Sequence, residues 1–132
     1  MNIKVTPTKT PAAKPADERA LGFGKVFTDH MFLMDWNAGT GWHDARIVPF
    51  GPLSIHPAST VLHYGMEIFE GLKAYRRADG GVQLFRPQRN FARMNRSAAR
   101  MGLPLLDEDF ALTALTELVR LDSAWVPHSD GA

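Results

Sequence analysis

Leu72-Lys73-Ala74-Tyr75-Arg76, then Asp79-Gly80-Gly81, then Val82-Gln83-Leu84-Phe85 is the stretch on which a reading of the fold turns. Both arms alternate at period two, and an acidic residue with two glycines lies between them, so the segment predicts a β-hairpin. The period then changes. Pro87 suits a first helical turn, and Phe91, Met94, Ala98 and Met101 recur at spacings of three and four. Gly102 and Pro104 stop the pattern, which sets a helix over 87–101. Asp107 is placed to cap a further helix over 107–122. Glu108 and Asp109 would sit in its first turn, where the helix field favours negative charge, and Ala111, Leu115, Leu118 and Leu121 would form its inner face. The expected fold class is α+β, an antiparallel sheet with flanking helices.

Working outward, Thr28 to Trp36 has the apolar middle of a strand, Asn37 to Gly41 reads as a turn, and Arg46 to Phe50 as a second strand whose proline suits an end or an edge. These two predict a hairpin. Pro52 and Pro57 make 51–59 a loop. Thr60 to Phe69 fits a short helix capped by Ser59 or Thr60 and broken by Gly71. Residues 1–20 combine Pro, Thr, Ala and Lys with few side chains able to offset the entropy of ordering, so they are expected to be a flexible tail. The domain would then span 21–132.

Composition excludes several classes. At 132 residues and 45% apolar the chain suits one globular domain. Fifteen basic and fourteen acidic side chains leave a net charge of +1, which argues against a dedicated polyanion partner. The absence of cysteine removes disulfides, a thiolate nucleophile and cysteine-based zinc sites. No apolar run approaches the ~20 residues of a membrane span. Thr and Pro follow the first five residues, so no secretory leader is expected, and a reducing cytoplasm fits without strain.

Candidate chemistry is spread thinly. Arg89, Arg93, Arg96 and Arg100 share a helix rhythm; a guanidinium suits a phosphate or carboxylate, but an arginine stripe is most often a solvated face. Nothing local separates Arg93 from Arg96. Tyr64, before Gly65, has a hydroxyl that can approach a ligand, or it packs half-buried at a junction. Phe23 lies between Gly22 and Gly24, a pattern suited to a tight turn or to backbone passing near a ligand. Glu67 and Glu70 are three apart, a spacing common on solvated faces, and Glu70 can instead bond to backbone beside Gly71; neither is assigned to catalysis. The five histidines form no metal-ligating pair, so no metal is expected, and no serine elbow or dinucleotide fingerprint is present. The physical rival is a nucleic-acid-binding module, in which the Arg86–Arg100 stripe interleaves with Phe85 and Phe91. The near-neutral total charge and the regular apolar stripe weigh against it.

Three stretches together resemble one family: Gly24-Lys25-Val26-Phe27-Thr28-Asp29-His30-Met31; Leu62-His63-Tyr64-Gly65 with Phe69-Glu70-Gly71-Leu72-Lys73-Ala74-Tyr75; and Leu84-Phe85-Arg86-Pro87 with Asn90-Phe91-Ala92-Arg93-Met94. In this order they are similar to the branched-chain amino acid aminotransferases, class IV enzymes of fold-type IV that use pyridoxal 5′-phosphate. The likeness runs from about Leu21 through 122–127. D-amino acid aminotransferases and aminodeoxychorismate lyases are the alternatives within the class; they tend to carry histidine where Asn90 stands. The resemblance implies that Arg93 holds the cofactor phosphate and that Phe23, Tyr64 and Phe69 line the substrate side-chain pocket. Glu70 and Lys73 would be structural members of the motif. It further implies a cytoplasmic homodimer of the amino-acid biosynthesis type that moves the amino group of Leu, Ile or Val to 2-oxoglutarate, giving glutamate. No catalytic residue is expected in this chain, because the lysine that binds the cofactor covalently would lie in a second domain beyond residue 132. The segment alone is therefore expected to be inactive.

Overall fold

The computed structural model describes residues 1–129. Strands β1 (Lys4–Val5), β2 (His30–Asn37) and β3 (Gly41–Pro49) form one sheet, and β4 (Ala74–Arg76) with β5 (Val82–Leu84) form a separate hairpin. Helices α1 (Thr60–Tyr64), α2 (Pro87–Met101) and α3 (Glu108–Leu121) complete the α+β arrangement, with short 3₁₀ turns at Glu18–Ala20 and Ser123–Trp125.

The β2–β3 hairpin is antiparallel, pairing His30 with Pro49, Phe32 with Ile47 and Asn37 with Gly41. Asn37 builds its turn: its Oδ1 accepts from the backbone N–H groups of Gly39 and Thr40. An irregularity between Leu33 and Asp35 faces Asp44, whose φ of 52° is left-handed. The period-two pattern then buries Ala45 and Ile47, and Ile47 is fully enclosed.

One expectation is corrected. The sheet is not purely antiparallel, because β1 pairs in parallel with β3, Lys4 beside Arg46 and Val5 beside Ile47. Residues 1–20, expected as a flexible tail, make hydrogen bonds to the rest of the chain. Thr6 N–H donates to the Ile47 carbonyl, Thr8 N–H to His30 Nε2, and Ala12 N–H to Asp29 Oδ1. Lys14 lies 5.4 Å from the Trp125 ring centroid, and Glu18 accepts from the backbone N–H groups of His128 and Ser129. The anchors are mostly backbone donors, which leave no apolar periodicity to read. Residues 130–132 of the expected domain lie outside the described residues.

The helices follow local chemistry closely. Helix α2 starts at Pro87 and ends at Gly102, whose left-handed φ of 68° lets its N–H reach back to Ala99 O while Leu103 N–H reaches Ala98 O. Asp107 caps α3 by accepting from Phe110 N–H. Between them, Asn95 grips Leu106 through both its amide groups, and Trp42 Nε1–H donates to Leu105 O. An apolar cleft of about 340 Å³ runs between the sheet and both helices, lined by Phe32, Trp42, Phe91, Met94, Phe110 and Leu115 among others. Helix α1 stops at Tyr64, five residues short of the reading from sequence, because Gly65 turns left-handed at φ 59°.

The most enclosed polar contact joins β2 to the end of α3. Asp122 accepts from His30 N–H at 3.0 Å and lies 2.6 Å from His30 Nδ1, with both side chains about 93% covered. Because Thr8 N–H can only donate, His30 Nε2 is the acceptor and Nδ1–H the donor to Asp122. Trp125 Nε1–H adds a bond to Asp29. Removing one partner of a buried, charge-assisted pair costs about 3 kcal/mol. Asp122→Ala is therefore expected to lower the urea midpoint at unchanged slope, and Asp122→Asn to lower it less; a midpoint equal to wild type for Asp122→Ala would contradict the assignment.

Candidate functional site

Glu70 lies in the irregular segment between α1 and β4, after Gly65 has ended the helix. Arg93 sits in the second turn of α2, with Asn90 three residues earlier on the same helical face. The fold brings these together. Arg93 Nε–H donates to Glu70 Oε2 at 2.7 Å, and Arg93 Nη2 bonds to Glu70 Oε1, making a two-point pair. Asn90 Nδ2 donates to Glu70 Oε1 and to the carbonyl of Gly71, each at 2.9 Å.

The pair is asymmetric. The Glu70 side chain is 8% exposed, whereas the Arg93 side chain is 58% exposed. The acid is anchored in the protein and the guanidinium faces outward. Hydrogen bonds from Arg93 hold the Glu70 carboxyl down at about 2; burial opposes that, and Asn90, the Arg93 charge and Gly71 N–H add to it. The same bonds raise the Arg93 value further above its usual range. Arginine has five N–H donors, and Glu70 takes two of them. Both Nη1 donors and the second Nη2 donor remain on the outward edge, a fork suited to phosphate oxygens. The donor set thus fits a phosphorylated cofactor.

Of the other residues singled out from sequence, Phe69 adjoins Glu70 in the chain and is 85% exposed, Tyr64 ends α1 and is 80% exposed, and Phe23 is 97% exposed. No hydrogen bond joins Tyr64 or Phe23 to Arg93 among the described residues. Phe23 lies in the loop after the first 3₁₀ turn, whose Gly22, Val26 and Phe27 line a cleft with Trp125 and Pro127. Phe85 is 75% exposed, while Phe91 lines the apolar cleft under α2. The reading from sequence did not pair Glu70 with Arg93; the signal was present only as an acidic residue before Gly71 and an Asn–Arg spacing of three. Asp35, His43 and Asp44 also bring potential ligand atoms within 4.8 Å of one another, but Arg46 holds Asp35, and Asn37 and Asp44 occupy the two His43 nitrogens.

No family model matches the chain. Curated proteins do. A branched-chain-amino-acid transaminase 1 of Bacillus subtilis is 56% identical over 115 residues, covering 87% of this chain and 32% of the relative. A branched-chain-amino-acid aminotransferase 2 of the same organism is 49% identical over 131 residues, 99% of this chain and 35% of the relative. The mitochondrial branched-chain-amino-acid aminotransferase of Rattus norvegicus is 47% identical over 130 residues, 98% and 33% respectively. The chain spans about a third of the length of the curated relatives it matches. A sequence 47–56% identical to aminotransferases over 87–99% of its own length is a segment of an aminotransferase. More narrowly, the chain belongs, as such a segment, to the branched-chain amino acid aminotransferase family.

The depressed Glu70 value has a consequence with a definite sign. A carboxyl whose folded value lies below its ordinary 4.5 stabilises the fold fully above that pH and loses the contribution as pH falls toward about 2. Arg93 is open to water, so the loss is only about 1 kcal/mol. Thermal melts between pH 5 and 2 should show wild type losing more stability than Glu70→Gln, and parallel pH profiles would refute the pairing.

Proposed function

We propose that this chain supplies the phosphate-gripping face and part of the substrate pocket of a branched-chain amino acid transaminase of fold-type IV, a cytoplasmic homodimer. The reaction it serves transfers the amino group of Leu, Ile or Val to 2-oxoglutarate. The observation that carries the reading is the outward edge of Arg93, buttressed by Glu70 and Asn90 in a sequence about half identical to proteins of that name. Pyridoxal 5′-phosphate, when bound, supplies the electron sink for the amino transfer.

The residues of this chain would do the holding. Arg93 binds the phosphate through its three remaining donors, a charge-assisted contact that also fixes the direction of the cofactor ring. Phe23, Tyr64 and Phe69 are the proposed walls of the side-chain pocket. Three aromatics this exposed forgo about 2 kcal/mol of burial each, a cost removed once a substrate and the rest of the enzyme cover them. Their fit to an apolar side chain distinguishes Val, Leu and Ile by only ~1–3 kcal/mol per missing methylene. No proton-transferring group is assigned within this chain; the lysine that holds the cofactor covalently is proposed to lie in the second domain. No helix of the described residues is long and apolar enough to cross a membrane, and the near-balanced charge gives nucleic acid no general attraction.

Two measurements test this. In the full-length enzyme, Arg93→Ala should lose cofactor on dialysis, followed by visible absorbance, by about tenfold or more relative to Arg96→Ala; equal loss in both would show that the phosphate-facing register is wrong. The isolated 132-residue chain mixed with pyridoxal 5′-phosphate should show no borohydride-trapped adduct at a single lysine and no turnover of leucine. Such an adduct with turnover would refute the assignment of the chemistry to a second domain.

A further inference from the structure

Glu70 was given only a structural role from sequence, yet its carboxylate is tightly held against Arg93. It is 8% exposed, bonded twice by Arg93, and held by Asn90 at 2.9 Å. Asn90 also ties Gly71 O, so one side chain of α2 clamps both the carboxylate and its neighbouring backbone. We propose that Glu70 is a positioning residue for the cofactor: it grips the Nε/Nη2 edge of Arg93 so that the Nη1 edge faces the phosphate, and Asn90 fixes Glu70 in turn.

This rests on Arg93 being the phosphate ligand and adds what makes it an effective one. A guanidinium is planar, so occupying one edge decides where the other points. Arg93 is 58% exposed, and without Glu70 its long side chain would sample many rotamers, most of them not facing the phosphate. Arg96 and Arg100 share the helix but carry no such pair among the described residues, which also explains why one arginine of the stripe differs from the rest.

A competing effect has the opposite sign. Glu70 is negative and lies one guanidinium away from where a dianionic phosphate would bind, so it repels that phosphate. If charge dominates, Glu70→Gln tightens phosphate binding; if positioning dominates, Glu70→Gln weakens it. Water reaches the outward side of Arg93, which screens the repulsion, while the loss of orientation is not screened. Positioning should win.

The test uses the full-length enzyme freed of cofactor and titrated with pyridoxal 5′-phosphate and with pyridoxal, which lacks the phosphate. The readout is the ratio of the two dissociation constants, because a general folding defect moves both ligands together. Arg93→Ala should reduce the preference for the phosphorylated form by about tenfold or more, Glu70→Gln by about fivefold, and the double variant no further than Arg93→Ala alone. Asn90→Ala, which leaves both charges in place, should reduce it by about threefold and decides the matter if Glu70→Gln does not fold. An unchanged or increased preference in Glu70→Gln beside a collapsed one in Arg93→Ala overturns the positioning role while leaving the phosphate reading intact. Equal weakening of both ligands overturns it as well. An unchanged preference in Arg93→Ala overturns the phosphate reading itself.

Discussion

The enclosed contact between His30 and Asp122 ties together parts of the chain that would otherwise be held by little. Its carboxylate takes both the backbone N–H and the ring Nδ1–H of His30, and the ring's other nitrogen takes Thr8 N–H. One residue pair thereby joins the N-terminal segment, the first strand of the hairpin and the end of α3. Among the described residues few large side chains are fully buried; the enclosed apolar ones are Ala45, Ile47, Pro87, Ala98, Ala111, Ala114 and Val126. With so small an apolar interior, polar contacts of this kind carry a larger share of the fold's specificity.

The same economy shapes the site. Glu70 and Arg93 come from segments more than twenty residues apart, and their pair draws the irregular chain after α1 onto the flank of α2. Asn90 makes that contact rigid by bonding both the carboxylate and the Gly71 carbonyl. The two halves of the pair have different environments, and this difference gives them different tasks. The covered acid acts as an anchor, and the exposed base has three donors that Glu70 does not use.

Exposure elsewhere points the same way. Phe23, Tyr64, Phe69 and Phe85 are each at least 75% exposed, although they are among the largest apolar side chains available for burial. Large aromatics left in water in a chain with a thin core mark surface meant to be covered. The chain spans about a third of the length of the curated relatives it matches, and a cover for these aromatics belongs to the proposed function. This view unites the aromatics with Arg93 without requiring a closed pocket in the segment itself.

Much of the local structure was legible because it depends on local chemistry. Pro87, Gly102 and Asp107 set the ends of α2 and α3, and Asn37 to Gly41 marked the hairpin turn, since capping and turn geometry act over a few residues. Motif order alone sufficed for the family. The place of β1 and the anchoring of residues 1–20 were not legible, because backbone amides donate without regard to side-chain type. Nor did helical rhythm distinguish Arg93 from Arg96 or give Glu70 a partner. Residue types and spacing determined which helices and turns form and which family the chain resembles. Only the tertiary structure decided which arginine is braced, because that depends on an acid twenty-three residues away in sequence being folded against it.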